Sequence, residues 1–250
     1  MRILKLFKRK NLGSAAAETM LIMFGVLAAL AVQSWWDERV EQQTLLSHLT
    51  AVEEELHEVT AAVAENLRRS GLVIDRTATV MMMLADTQTE ALPDSFMENV
   101  SAMYSISAPD LPMSAYDAFV SSGSLRLVKN RPLRAMLAQY KNEAEKVGFI
   151  HDALWDVYYN VQVPFLNRNF VLSDFGWPIE TEDAFGQRIS SPGEIPRAPN
   201  SPDWDAIRSL EFWNLVYTWR IAYSDQVASV IRLQRHCSQL HDLLQGEIKH

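Results

Sequence analysis

An apolar run from Ala15 to Val32, whose only ionisable residue is Glu18, constrains this chain more than any other feature. Its 18 residues rise about 1.5 Å each as a helix, roughly 27 Å in all, close to the hydrocarbon thickness of about 30 Å. The flanks are asymmetric: Arg2, Lys5, Lys8, Arg9 and Lys10 precede the run without an acid, and Asp37, Glu38, Arg39 and Glu41 follow it. Basic flanks stay in the cytoplasm. The expected organisation is therefore a cytoplasmic leader over residues 1–14, a transmembrane helix over 15–36 and an extracytoplasmic body over 37–250. That places the chain in the inner membrane, with its body in the periplasm.

Trp35 and Trp36 stand where an aromatic belt meets the far headgroups, and Glu18 lies near enough to the cytoplasmic face for its carboxylate to reach water. Gly25 and Ala29 make a small-x-x-x-small pair that lets two membrane helices approach closely. A cleaved signal peptide is the competing reading, because Ala29-Leu30-Ala31 offers a small-x-small site behind a basic leader. The acid inside the run, and a helical pattern that continues past Trp36, argue for retention.

Charge sets the class of partner. The chain carries 23 basic and 31 acidic residues; without the leader's five, 18 basic residues face 31 acidic ones, a net charge of −13. Such a body is repelled by phosphate backbones, so nucleic acid is not an expected partner. The single Cys237 has no partner for an internal disulfide.

Beyond the tryptophans, Leu45, Leu49, Val52, Leu56, Val59 and Val63 keep a 4, 3 spacing, the mark of a helix with one apolar seam. Nothing from Ala15 to Leu67 breaks a helix, so the span is expected to run on into this outer helix, to Gly71 or past it. A second helical stretch is expected from Val73 to Ala85, ending before Pro93, then a short helix from Ser114 to Ser122 stopped by Gly123. Asn130 and Pro132 read as the cap and first turn of a long helix. Its seam is Leu133, Leu137, Tyr140, Ala144, Val147, His151, Leu154, Tyr158 and Val161, and it is expected to end before Pro164. Residues 174–204, with five prolines, read as a long irregular connection packed along the body. A final helix from about Pro202 to Gly246 carries Tyr223, Val227, Val230, Leu233, Cys237, Leu240 and Leu244. The fold class is all-α: a membrane helix continuing into an antiparallel bundle of about four helices. The one extended piece expected is Leu125 to Val128.

The run Ala17-Glu18 through Gly25-Val26-Leu27 and Ala29-Leu30 to Trp35, followed by charged heptads, resembles the start of a family of bacterial single-pass membrane-anchored proteins of unassigned activity. Tyr116-Asp117-Ala118-Phe119, Ser121-Ser122-Gly123 and Leu127-Val128-Lys129-Asn130 resemble that family's internal signature. The resemblance spans roughly the first 160 residues. It implies an anchored helical protein and brings no activity, cofactor or substrate.

Sites for chemistry are sparse. Glu54 and His57 have the Glu-x-x-His spacing of di-iron bundles, but with Leu49 and Leu56 on the seam both face outward. Glu247 and His250 repeat the spacing at the chain end. His236 and His241 lie about 140° apart around a helix and cannot share an ion. Cys237 lies on a stripe and reads as an inert buried thiol. Ser121-Ser122-Gly123-Ser124 lacks a nucleophile elbow, and Met81, Met82 and Met83 read as core filler. No catalytic residue, metal site or cofactor is expected. The leading expectation is a non-enzymatic anchored scaffold that binds the lipid bilayer and other membrane or extracytoplasmic proteins, or a second copy of itself. A small-ligand sensor is the alternative, its pocket drawn from His151, Trp155, Tyr158, Tyr159, Trp177 and Trp213. A metal-assisted enzyme is the third.

Overall fold

A computed structural model describes residues 10–86, 92–93, 95–175, 180–182, 188–190 and 201–249. Within them the protein is an all-α bundle built on three long helices: α1 (Lys10–Ala85), α4 (Arg131–Val157) and α7 (Leu210–Ile248).

Helix α1 is unbroken for 76 residues, roughly 114 Å. The separate helix expected from Val73 is its continuation. Buried positions follow one another at spacings of three and four through Leu49, Val52, Leu56, Val59, Val63, Asn66, Ser70, Val73, Thr77 and Val80. A 3.5-residue period keeps this stripe facing its neighbours along a left-handed supercoil. Three of the ten positions are polar, which is why an apolar count loses the seam near Gly71.

Between α1 and α4 the chain returns along α1 in short pieces: α2 (Ser95–Ser101), a 3-10 turn (Ala102–Tyr104), α3 (Ser114–Ser121) and a second 3-10 turn (Ser124–Leu127). That last turn replaces the extended piece expected at Leu125 to Val128. The direction of return is read from contacts with α1, where Arg76 meets Glu98, Asn66 meets Ser107 and Glu55 meets Ala115. Gly123 takes φ +76° between α3 and the second turn, the left-handed value the sequence anticipates. The Asn130 side chain accepts the Leu133 N–H at 3.2 Å and starts α4.

Helix α4 keeps its seam through Leu154, apart from His151, which is only partly buried, and then departs from it. Residues Tyr158–Gln162 form a π turn, the Val163 N–H reaching back five residues to the Tyr158 carbonyl. The helix does not end before Pro164 but passes through it into α5 (Val163–Asn169). Proline has no N–H to offer the residue four before it, and its ring crowds that carbonyl; the wide turn absorbs both faults. The extra residue rotates the face, so Gln162 is fully buried and Val161, a seam position on strict spacing, is 53% exposed.

The final helix begins in two pieces. Asp203 caps α6 (Trp204–Ile207) through the Ala206 N–H, and Ser209 caps α7 through the Phe212 N–H. Helix α7 runs antiparallel to α1 and α4. Its Gln245 meets Glu53 while Gln226 shares the Ser107 carbonyl with Asn66, and its His236 meets Met136 while Trp219 meets Tyr158. Within the connection, β1 (Glu180–Glu182) and β2 (Arg188–Ser190) pair antiparallel.

Two apolar cores lie along the bundle. One gathers Leu49, Leu56, Phe119, Leu137, Tyr140, Leu233 and Leu240; the other is aromatic, with Phe96, Phe165, Phe170, Phe175, Phe212, Trp219 and Tyr223. Buried Asn66, Ser70, Gln226 and Ser229 separate them. The Asn66 and Gln226 amides both donate to the Ser107 carbonyl, at 3.0 and 2.7 Å.

Candidate functional site

The N-terminal part of α1 stands apart from the bundle. Its apolar window has a mean hydropathy of 1.6 and none of it is buried. Met20, Leu21 and Phe24 are each more than 70% exposed. Glu18, Gly25 and Ala29 are likewise exposed, and a Cβ at Gly25 would meet nothing within 4 Å. Trp35 and Trp36 pack with ring centroids 6.5 Å apart, and the Arg39 guanidinium lies 5.7 Å from the Trp35 ring, a cation–π pair. By length and composition this segment suffices for a membrane span or a signal sequence.

Four of the six residues drawn on for a ligand pocket do come together, as a ladder of rings along one side of α4 and its π turn. Trp155 meets His151 edge-on at 5.8 Å, stacks on Tyr159 at 4.9 Å and meets Tyr158 at 5.6 Å. The ladder is partly exposed, Tyr159 at 59%. Tyr158 alone turns inward, to Trp219 and to the Tyr104 carbonyl at 3.2 Å. Burial pushes the His151 imidazole below its ordinary value against the opposing charge of Asp152. Trp213 is half-buried on α7 and no ring contact among the described residues joins it to the ladder; Trp177 lies outside the described residues. A groove of about 550 Å³ forms elsewhere, between Arg69, Val73 and Arg76 on α1, the 102–107 segment and Tyr223.

A second cluster joins α1 to α7. Glu53 and His57 are four apart on α1 and therefore share a face; His241 and Gln245 repeat that spacing on α7. Glu53 Oε1 lies 3.8 Å from His241 Nδ1, the His57 and His241 rings meet edge-on with centroids 4.8 Å apart, and the Gln245 amide donates to Glu53. One donor atom from each of Glu53, His57 and His241 lies within 4.8 Å of the others. The sequence pairs His57 with Glu54, which is exposed and outside the cluster; the acid one turn before it, Glu53, is the partner. His236 and His241 part as their angular separation requires, His236 being buried against the Met136 carbonyl at 3.0 Å.

Glu55 is the one buried acid among the described residues. Its carboxylate accepts the Ala115 and Tyr116 N–H groups at 2.7 and 3.1 Å and the Ser114 hydroxyl at 3.3 Å. It closes the N-terminal end of α3, where an anion meets both orphan donors and the helix dipole. Cys237 is buried, and burial pushes its thiol up to about 12, which removes the thiolate a nucleophile would need near neutral pH.

These features define an all-α bundle carrying an exposed apolar helical extension and an inter-helix carboxylate–imidazole cluster. No family model, curated protein or solved structure matches the chain.

Proposed function

We propose that this chain is a single-pass membrane protein whose extracytoplasmic bundle acts as a non-enzymatic scaffold for other membrane proteins. The observation that carries the reading is the continuity of α1. One uninterrupted helix holds an apolar window with no buried residue and, further along, the buried seam of the bundle. Water-soluble proteins seldom expose contiguous apolar patches beyond a few hundred Å², so the extension wants a covering, and lipid matches its length. The Trp35, Trp36 and Arg39 group at the far end of the window supports that reading.

Orientation follows the basic leader, with the body in the periplasm. Because anchor and bundle share one helix, a partner that tilts or rotates the membrane segment moves the seam from Leu49 to Val80 with it. That mechanical continuity suits a scaffold, and it needs no catalytic group.

Membrane fractionation with alkaline carbonate washing, and protease treatment of spheroplasts, test the anchorage. The expected result is a chain that stays in the pellet and loses its carboxyl-terminal body to external protease. A mature chain shortened past Ala31 and free in the periplasm would overturn it. Crosslinking in intact cells tests the scaffold, with a strictly uncrosslinked chain as the opposing result.

A further inference from the structure

We infer that Glu53, His57 and His241 bind a divalent first-row transition ion of the zinc class, with the Gln245 side-chain oxygen as a fourth donor, so that the ion pins α1 to α7. The inference is independent of the anchored reading, since every donor belongs to the bundle.

Four donor side chains sit two by two on facing helices at the spacing that puts each pair on one face: Glu53 with His57, and His241 with Gln245. The opposed donors approach without closing. Glu53 Oε1 and His241 Nδ1 are 3.8 Å apart, beyond a hydrogen bond. With metal–ligand bonds of about 2.0–2.2 Å in tetrahedral geometry, donors sharing one ion lie about 3.3–3.6 Å apart. The observed spread of 4.8 Å thus closes by side-chain movements of roughly 1–1.5 Å, which the exposed His57 and partly exposed His241 can make. Among the described residues, neither of these imidazoles hydrogen-bonds to a protein group.

Donor chemistry selects the ion. Two imidazoles and one carboxylate suit zinc and its first-row neighbours and disfavour magnesium and calcium, which take oxygen ligands. Gln245 now points an amide N–H at Glu53; the oxygen and nitrogen of such a group are interchanged by a half-turn, which would aim the oxygen at the ion. Glu53 is better shielded than His241, with 13% of its side chain exposed against 34%.

The test uses full-length protein in detergent, purified without a polyhistidine tag. Equilibrium dialysis against Zn²⁺, read by elemental analysis, is expected to give one ion per chain, with a rise in melting temperature. His57→Ala and His241→Ala should each weaken binding by more than the roughly 10–100-fold lost with a mere outer-shell partner, whereas Glu54→Gln and His48→Ala leave it unchanged. Co²⁺ loading gives a readout that needs no variant: a four- or five-coordinate visible spectrum without a thiolate charge-transfer band. Substoichiometric zinc at micromolar free ion, an affinity in either histidine variant equal to the parent's, or a six-coordinate or thiolate-bound cobalt spectrum would each overturn the assignment.

Discussion

Removing the Glu55 carboxylate is the sharpest test of how the broken return limb is held. Glu55 is 6% exposed and accepts two backbone N–H groups of the α3 first turn, at 2.7 and 3.1 Å. In Glu55→Ala both donors lose their acceptor in a place water reaches poorly. One hydrogen bond to a charged group contributes about 1.5–3 kcal/mol, and an anion at a helix N-terminus about 0.3–1 kcal/mol more. Since both bonds share one carboxylate, their sum is less than twice the single value, and the expected loss is about 3 kcal/mol. For a chain this long, that lowers the melting temperature by about 6–12 °C. Glu55→Gln keeps one acceptor oxygen and loses the charge, so about half that drop is expected. Thermal melts of the full chain followed by circular dichroism read both numbers. The near-ultraviolet signal should fall as well, because α3 positions Tyr116, whose hydroxyl donates to the Leu137 carbonyl at 2.8 Å and whose ring meets Tyr140. An alanine variant melting within about 2 °C of the parent would refute the capping role.

Two further outcomes are expected. Val161→Ser, at an exposed position, should change stability by less than about 0.5 kcal/mol, while Leu154→Ala, buried about two turns earlier, should cost about 2–5 kcal/mol; equal losses in denaturant titrations would restore Val161 to the seam and remove the π turn. The Cys237 thiol, raised from 9.0 to about 12, favours the folded state fully below pH 9 and ceases to do so as pH rises towards 12; burial raises Tyr140 and Tyr223 in the same sense. Urea midpoints should therefore fall steadily above about pH 9, and thiol reagents at neutral pH should leave Cys237 unmodified until denaturant is added. A flat alkaline profile or prompt labelling of the folded chain would contradict that burial.

Apolar spacing makes the inner half of the bundle legible: Leu49 to Val63, Leu133 to Val147 with Leu154, and Leu233 to Leu244 are buried where their periods put them, while the seam histidine His151 is only partly buried. Local backbone chemistry was legible too, since Gly123 and Asn130 act within four residues of themselves. The buried positions that apolar spacing misses share one feature, a polar side chain. At Asn66, Gln162 and Gln226 the buried face is polar, its cost offset by hydrogen bonds to the distant Ser107 and Met103 carbonyls, whereas Thr77 bonds one turn back to Val73 and the buried Ser70 hydroxyl has no partner among the described residues. No count of apolar residues sees a position whose burial depends on an acceptor in another part of the chain.

The clusters are harder to read from sequence than the fold because their partners are set by packing. A helical face can be computed from spacing alone, but the choice between Glu53 and Glu54 as the partner of His57 depends on which side of α1 meets α7. Both acids are near the seam edge, and only packing decides. Glu53 turns towards His241 and Gln245, Glu55 towards the start of α3, and Glu54, between them, faces outward. Three adjacent acids thus take three environments from a rotation of about 100° per residue. The affinity of the proposed ion site measures how firmly α7 holds that rotation of α1, so a twist transmitted from the apolar extension is read out as a change in zinc binding.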